Sequence, residues 1–271
     1  MKNVQTLLYH RVCADNEWLP SEYVVTRGVF RRHLEYLARH RYYTPAIEDI
    51  VQGRDGDRAR GKSPVLITFD DGYLDNYEHA FPLLQEFGFT AVIFLVADFS
   101  RRNNWWDTPE GIPETRLMEK PHIAEMDRAG MQFGSHTMTH RRLALLGKRE
   151  VENELVGSKT MIEQMLGRAV VSFSYPYSSY HEGVKQAVRE AGYGCAFAVN
   201  DGPRHFMDDL YAIRRLNVTN HPSGFHLFTK LNGSEKALLW CWSEMKTRLH
   251  LSSSQPRNGW GSDPDRAYQG A

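Results

Sequence analysis

The amino-acid sequence predicts an α/β fold, a distorted (β/α) barrel with about seven mostly parallel strands. Three observations carry that expectation. Short apolar runs rich in β-branched residues alternate with segments of helical period along most of the 271 residues, the pattern of strands buried on both faces and joined by crossover helices. The units are numerous and show no fixed internal repeat, which favours a closed or nearly closed barrel. Finally, the run Val65-Leu66-Ile67-Thr68-Phe69 ends abruptly in Asp70-Asp71-Gly72. Two carboxylates and a turn-forming glycine at the carboxyl end of a strand stand where α/β folds gather ligands.

Taken in order, residues 4–9 form a first strand that delivers His10 and Arg11 into a loop. Phe30, Leu34 and Leu37 repeat at helical spacing, and Ile47 with Ile50 continues an apolar face after Pro45. Residues 52–64 are polar, charged and glycine-containing, a surface loop leading straight into the Asp-Asp-Gly strand. Phe81, Leu84 and Phe87 give a helix stopped by Gly88, and 90–96 is a second buried strand, completing a βαβ unit. Residues 101–120, with Trp105 and Trp106, are a long irregular insertion beyond that strand; insertions of this length bind substrate or pack over a barrel rim. A helix over 123–129, a strand over 131–135 and an amphipathic helix over 149–166 follow, the last with Val151, Leu155, Ile162 and Leu166 inward and Gly167 as its stop. Residues 169–174, 195–199 and 211–218 read as strands, with a helix over 182–191 ended by Gly192. Residues 1–233 thus make one barrel domain. A C-terminal helix over 234–251, carrying Leu238, Leu239, Trp240, Cys241 and Trp242, is expected to dock on it, with peripheral membrane or partner contact as the alternative. A polar tail over 252–271 is expected to be disordered.

Composition narrows the partners. Lys plus Arg and Asp plus Glu number 33 each, so no global field draws the chain to nucleic acid. Cys13, Cys195 and Cys241 are widely spaced and form no Cys-x-x-Cys, which indicates neither a disulfide framework nor a thiolate metal site and fits a reducing compartment. The first residues carry no apolar stretch of signal length and no window reaches a membrane span; the expected location is cytoplasmic.

The chemistry gathers in two segments. His136 and His140 sit at i and i+4 after a strand end; on a helical turn that spacing puts both imidazoles on one side, as metal ligation requires. With a carboxylate from the other strand end they complete a two-His, one-carboxylate set with open positions. Thr68-Phe69-Asp70-Asp71-Gly72 followed by Ser135-His136-Thr137-Met138-Thr139-His140 resembles the first two motifs of the polysaccharide deacetylase family, carbohydrate esterase family 4, the NodB-homology domain. Phe173-Ser174-Tyr175-Pro176-Tyr177 resembles its third motif and 211–218 a late strand of the family, so the resemblance spans about residues 4–220.

The resemblance implies a hydrolase that removes N-acetyl groups from an amino sugar, with Asp71, His136 and His140 binding one divalent metal ion, Zn2+ in the first place and Co2+, Ni2+ or Mn2+ as alternatives. It implies Asp70 as general base, the Tyr177 backbone N–H as an oxyanion donor, and Tyr175 and Pro176 as the residues shaping that substrate-binding turn. Two features depart from the better-known members. Residues 172–177 contain no Arg, and the only Leu-x-His is Leu8-Tyr9-His10. That placement resembles the circularly permuted, poly-N-acetylglucosamine deacetylase branch and makes His10 the general acid, with His205 and His221 as competitors. Arg215 is the candidate to pair with Asp70 in place of the missing Arg, although Arg214 has the opposite facing. Trp105 and Trp106 are the candidate sugar-stacking residues. The alternatives in reaction class are hydrolysis of another C–N bond of the cyclic-ureide type, an O-acetyl esterase, or a non-catalytic glycan-binding module.

Overall fold

A computed structural model describes residues 4–17, 21, 23–54, 61–110, 113–199, 208–220, 227 and 231. Along the chain, β1 (Gln5–Tyr9) is followed by a short parallel pair, β2 (Arg11–Cys13) with β3 (Val24–Thr26), then α1 (Arg27–Arg39), β4 (Tyr42–Tyr43) and α2 (Ile47–Val51). The alternation continues through β5 (Ser63–Phe69), α3 (Phe81–Phe87), β6 (Val92–Leu95), α4 (Lys120–Arg128), β7 (Gln132–Ser135), α5 (Lys148–Leu166), β8 (Ser172–Ser174), α6 (Glu182–Glu190), β9 (Cys195–Val199) and β10 (Ile213–Asn217).

Seven of these strands close into an all-parallel barrel in the order β1-β10-β9-β8-β7-β6-β5, with β5 returning to β1, and β4 adds outside β5. The first strand therefore lies between the last strand and the one that carries the aspartates. Leu8 stands opposite Asn217 on one side and Tyr9 opposite Phe69 on the other.

The strands β5, β6 and β9 are buried on both faces over most of their length, which is why their sequences run apolar without alternation. One set of residues, including Leu66, Val92, Phe94, Cys195, Phe197 and Ile213, packs together with Ile47 and Ile50 of α2. Their neighbours one position along, such as Ile67, Ile93 and Ala196, pack instead with the helices through Phe30, Leu34, Leu84, Leu155 and Val188. Full burial of each large apolar side chain is worth roughly 1.5 to 3 kcal/mol, so both shells contribute. The helix stops fall where expected: Gly88 and Gly167 take left-handed conformations at the ends of α3 and α5. Within α5 the inward stripe holds Glu154 and Ser158 as well as Val151, Leu155 and Ile162, while Leu166 is only half-buried.

The helical turn expected over 136–140 is absent; the segment is an irregular loop in which Thr137 and His140 have left-handed backbones. Cys13 and Cys195 are buried free thiols. Among the described residues no helix is long and apolar enough to cross a membrane. The expected 234–251 helix, the 252–271 tail, Cys241, His205 and His221 lie outside the described residues.

Candidate metal centre and active site

The period-two alternation of β5 that points Leu66 and Thr68 inward does the same for Asp70, and β10 does so for Arg215. The two meet as a fork, Arg215 Nη1 and Nη2 donating to the two Asp70 carboxylate oxygens at 2.6 and 2.7 Å. Arg215 is completely buried. Ser174 closes the group, its hydroxyl accepting from Arg215 Nη2 at 2.9 Å and donating to Asp70 at 3.3 Å. Burial alone would push the Asp70 carboxyl up; the Arg215 guanidinium, helped by His136 and His10, outweighs it and holds the group well below the usual carboxylate range. Arg214, one residue earlier, has a buried Nε with no hydrogen-bond partner among the described residues.

Asp71 is turned away from its neighbour by its backbone. Its φ is 73° and that of Gly72 is 77°, and a Cβ at Gly72 would meet Leu95 Cδ2 at 2.8 Å. Conformation and space therefore both demand glycine there. The turn presents Asp71 Oδ1 to the imidazole Nε2 atoms of His140, at 3.2 Å, and His136, at 3.5 Å. That oxygen is buried and has no hydrogen-bond partner, and burial pushes the Asp71 carboxyl up against the pull of His10 and His136. Such an oxygen is costly without a cation beside it.

Both histidines are aimed by their other ring nitrogen. His136 Nδ1 lies 2.8 Å from the Ser174 carbonyl oxygen, which can only accept, so the proton sits on Nδ1 and Nε2 carries the lone pair. His140 Nδ1 is 3.1 Å from the Tyr177 hydroxyl. The loop between them is fixed by a residue the sequence reading passed over. Glu154 accepts from the backbone N–H groups of Met138 and Thr139 at 2.9 and 2.8 Å and from the Thr139 hydroxyl at 2.5 Å. Thr137 Oγ1 accepts from the His140 N–H at 2.9 Å. The signal that could have found Glu154 was an acid on the apolar stripe of α5; Ser174 carried none, since its role depends on which strands become neighbours.

One carboxylate and two imidazoles, buried and with their donor atoms within 4.8 Å of one another, fit a divalent cation. Outer partners that set the tautomer and orientation of each ring are the usual support of such a site.

The remaining rim residues divide. His10 follows β1 directly, and the β1–β5 register sets it beside Asp70; the Asp70 N–H donates to Tyr9 O and the Asn76 amide to His10 O. Its Nδ1 is buried without a hydrogen-bond partner. Burial pulls its pKa below the ordinary value, while the carboxylates of Asp71 and Asp70 push the other way. Trp106 lies stacked on His140, ring centroids 4.6 Å apart, and Trp105 meets Trp106 edge-on at 4.7 Å. Tyr177 has a left-handed backbone, φ 56°, at the turn after β8. Tyr175 is buried and its hydroxyl donates to Tyr211 O at 2.9 Å, and Pro176 is buried as well. Both shape the turn from within. Tyr73 and Asp107, a buried pair joined at 3.2 Å, stand behind Asp71.

A closed parallel barrel with an Asp-His-His group at the carboxyl ends of its strands defines a hydrolase-type metal-site scaffold. The chain belongs to the polysaccharide deacetylase family, whose model matches residues 57–196. Among curated relatives, YxkH of Bacillus subtilis is 27% identical over 218 residues, covering 80% of this chain and 72% of its own. The poly-β-1,6-N-acetyl-D-glucosamine N-deacetylase of Staphylococcus epidermidis is 23% identical over 210 residues, covering 73% and 69%. The structure resembles the Streptococcus pyogenes deacetylase PplD, solved in complex with acetate, with a TM-score of 0.72 at 21% identity over 85% of this chain and 98% of that one. IcaB from Ammonifex degensii gives 0.66 at 25% identity over 85% and 97%.

Proposed function

We propose that the protein is a metal-dependent N-deacetylase of N-acetylated amino sugars, taken as oligosaccharide, lipid-linked or activated sugar. The observation that carries this reading is the juxtaposition of an Asp71 oxygen without a hydrogen-bond partner and the Nε2 atoms of His136 and His140 with an ionised, Arg-held Asp70 one residue away. Asp71, His136 and His140 would hold one divalent ion, Zn2+ or alternatively Co2+, Ni2+ or Mn2+, which when bound supplies Lewis-acid polarisation of water and of the acyl oxygen.

Asp70 takes the proton of the attacking water. A carboxylate held this low is a weak base, so it serves only toward a water already made acidic, which ties its role to the adjacent ligand set. Arg215 and Ser174 fix both of its oxygens and keep it ionised. The Tyr177 N–H donates to the acyl oxygen as charge builds there, and His10, across the turn, gives its proton to the departing amine. Trp105 and Trp106 stack on the sugar.

The test is metal content measured together with acetate release from a panel of β-1,6-linked N-acetylglucosamine oligomers, an O-acetylated glycan and a cyclic ureide. One ion per chain and acetate from the amides is expected. Release from the ester alone, or turnover of the ureide alone, reassigns the reaction, and a fully loaded protein that binds glycan but turns over none of them is a binding module.

A further inference from the structure

The aromatic row beside the metal ligands does not stop at Trp105. The Arg101 guanidinium sits 5.5 Å from the Trp105 ring centroid, and beyond it opens a groove of about 270 Å3 with Phe99 and Met118 in its lining and Arg101, Arg102, Glu119 and Lys120 around it. The cations are not equivalent. Arg102 is neutralised by Glu119 at 2.8 Å. Arg101 and Lys120 pair with no carboxylate among the described residues; each is held over a ring instead, Lys120 Nζ lying 6.0 Å from the Phe99 centroid. Two uncompensated charges thus converge on one cavity, with Phe99 and Met118 beside them.

The groove is also fixed relative to the catalytic turn. The Met118 N–H donates to Gly72 O and the Leu117 N–H to Arg102 O, both at 2.9 Å. Asn104 ties the insertion across, its amide donating to Asp107 and its carbonyl accepting from the Thr115 N–H at 2.6 Å. Residues 101–107 and 113–120 therefore form a built wall of the site.

We propose that this groove binds a phosphate group carried by the substrate, so that the amino sugar lying over the tryptophans is a phosphorylated one. This rests on the deacetylase reading. Two separate cations on one cavity match a doubly charged, tetrahedral group, which each can approach from its own side, whereas a single carboxylate would leave one of them unmatched. The phosphate could belong to a sugar phosphate or to a lipid-linked sugar diphosphate.

The experiment has two parts. In the first, kcat/KM for acetate release is measured with N-acetylglucosamine 1-phosphate, a prenyl-diphosphate-linked N-acetylglucosamine and the neutral β-1,6-linked trimer, for the metal-loaded wild type and for the Arg101→Gln/Lys120→Gln double variant. The expected result is that the charged-to-neutral ratio falls by about tenfold to a hundredfold in the variant, and whichever charged substrate is preferred names the source. An unchanged ratio overturns the inference. In the second, inorganic pyrophosphate is titrated calorimetrically into wild type and variant without any turnover. Saturable binding that weakens with salt and disappears in the variant supports the groove even if no acetate is released from anything, the result that would sink the deacetylase reading alone. Pyrophosphate that binds neither protein, or both equally, rejects the groove. Thermal melting of the double variant is run alongside, and single Arg101→Gln and Lys120→Gln variants replace it if it does not fold.

Discussion

The two ends of the barrel interior use the same strands for opposite purposes. At the amino end of the strands Leu66, Cys195 and Ile213 pack on Ile47 and Ile50 of α2, where removing surface from water stabilises the fold without further conditions. Two or four residues further on, the inward positions become Asp70, Ser174 and Arg215, where the same burial would be costly if any partner were missing. The charged groups there are therefore tied across the barrel: both Arg215 Nη atoms to Asp70 and Ser174, and Ser174 through its carbonyl to His136. The apolar end tolerates loss of a contact as a graded cost. The charged end is all-or-none, and the buried Asp71, His136 and His140 group belongs to it.

That contrast sets the order of the expected effects. The largest is on chemistry. Asp70→Asn should lower kcat by about 10⁴-fold, the upper range for general acid–base catalysis, with metal stoichiometry retained; near-normal turnover would make Asp70 a purely structural acid. His10→Ala should cost roughly 10² to 10⁴-fold with metal and fold intact. His10 acts only when protonated, so activity should fall as pH rises through its pKa, and that alkaline limb should vanish in the variant. Persistence of the limb would move the role to another histidine.

On stability, Arg215→Met should cost about 3 to 5 kcal/mol, because it leaves a buried carboxylate alone. The sign with pH follows from Asp70, whose carboxyl is depressed in the fold. Its contribution is present above the unfolded carboxylate range and is lost as pH falls toward the folded value, so wild type and variant should converge in urea titrations at acid pH. A gap that stays constant down to acid pH would show that packing, not charge, holds Arg215. At the other end Leu66→Ala should cost a similar or slightly smaller amount, about 3 kcal/mol, at every pH, with metal affinity unaltered. Altered metal binding there would mean the two ends are coupled. The smallest effect is expected from the Trp105→Ala/Trp106→Ala double variant, about a tenfold rise in KM with a lesser fall in kcat, and an unfolded protein would instead identify the pair as core.

The alternation of strands and helices, the stops at Gly88 and Gly167 and the approximate strand count were all legible from local pattern, because burial on two faces and left-handed helix ends leave signatures within a few residues. The Asp-Asp-Gly and His-Thr-Met-Thr-His segments were legible for the same reason, whereas the strand phase that selects Arg215 over Arg214 was fixed only by the fold. What the sequence could not decide was adjacency. That Tyr9 stands against Phe69 while Leu8 stands against Asn217, and hence that His10 joins residues sixty and two hundred positions away, follows only from ring closure. The helical turn expected over 136–140 failed because His-x3-His spacing does not distinguish a turn of helix from a loop pinned by Glu154, which comes from the next helix. The partner of Tyr175 was equally out of reach of local pattern: its hydroxyl donates to Tyr211 O, thirty-six residues away in sequence. Side chains were named by local chemistry; their partners, and with them their charge states, were decided by the closed barrel, since electrostatic energies depend on distances that only tertiary packing sets.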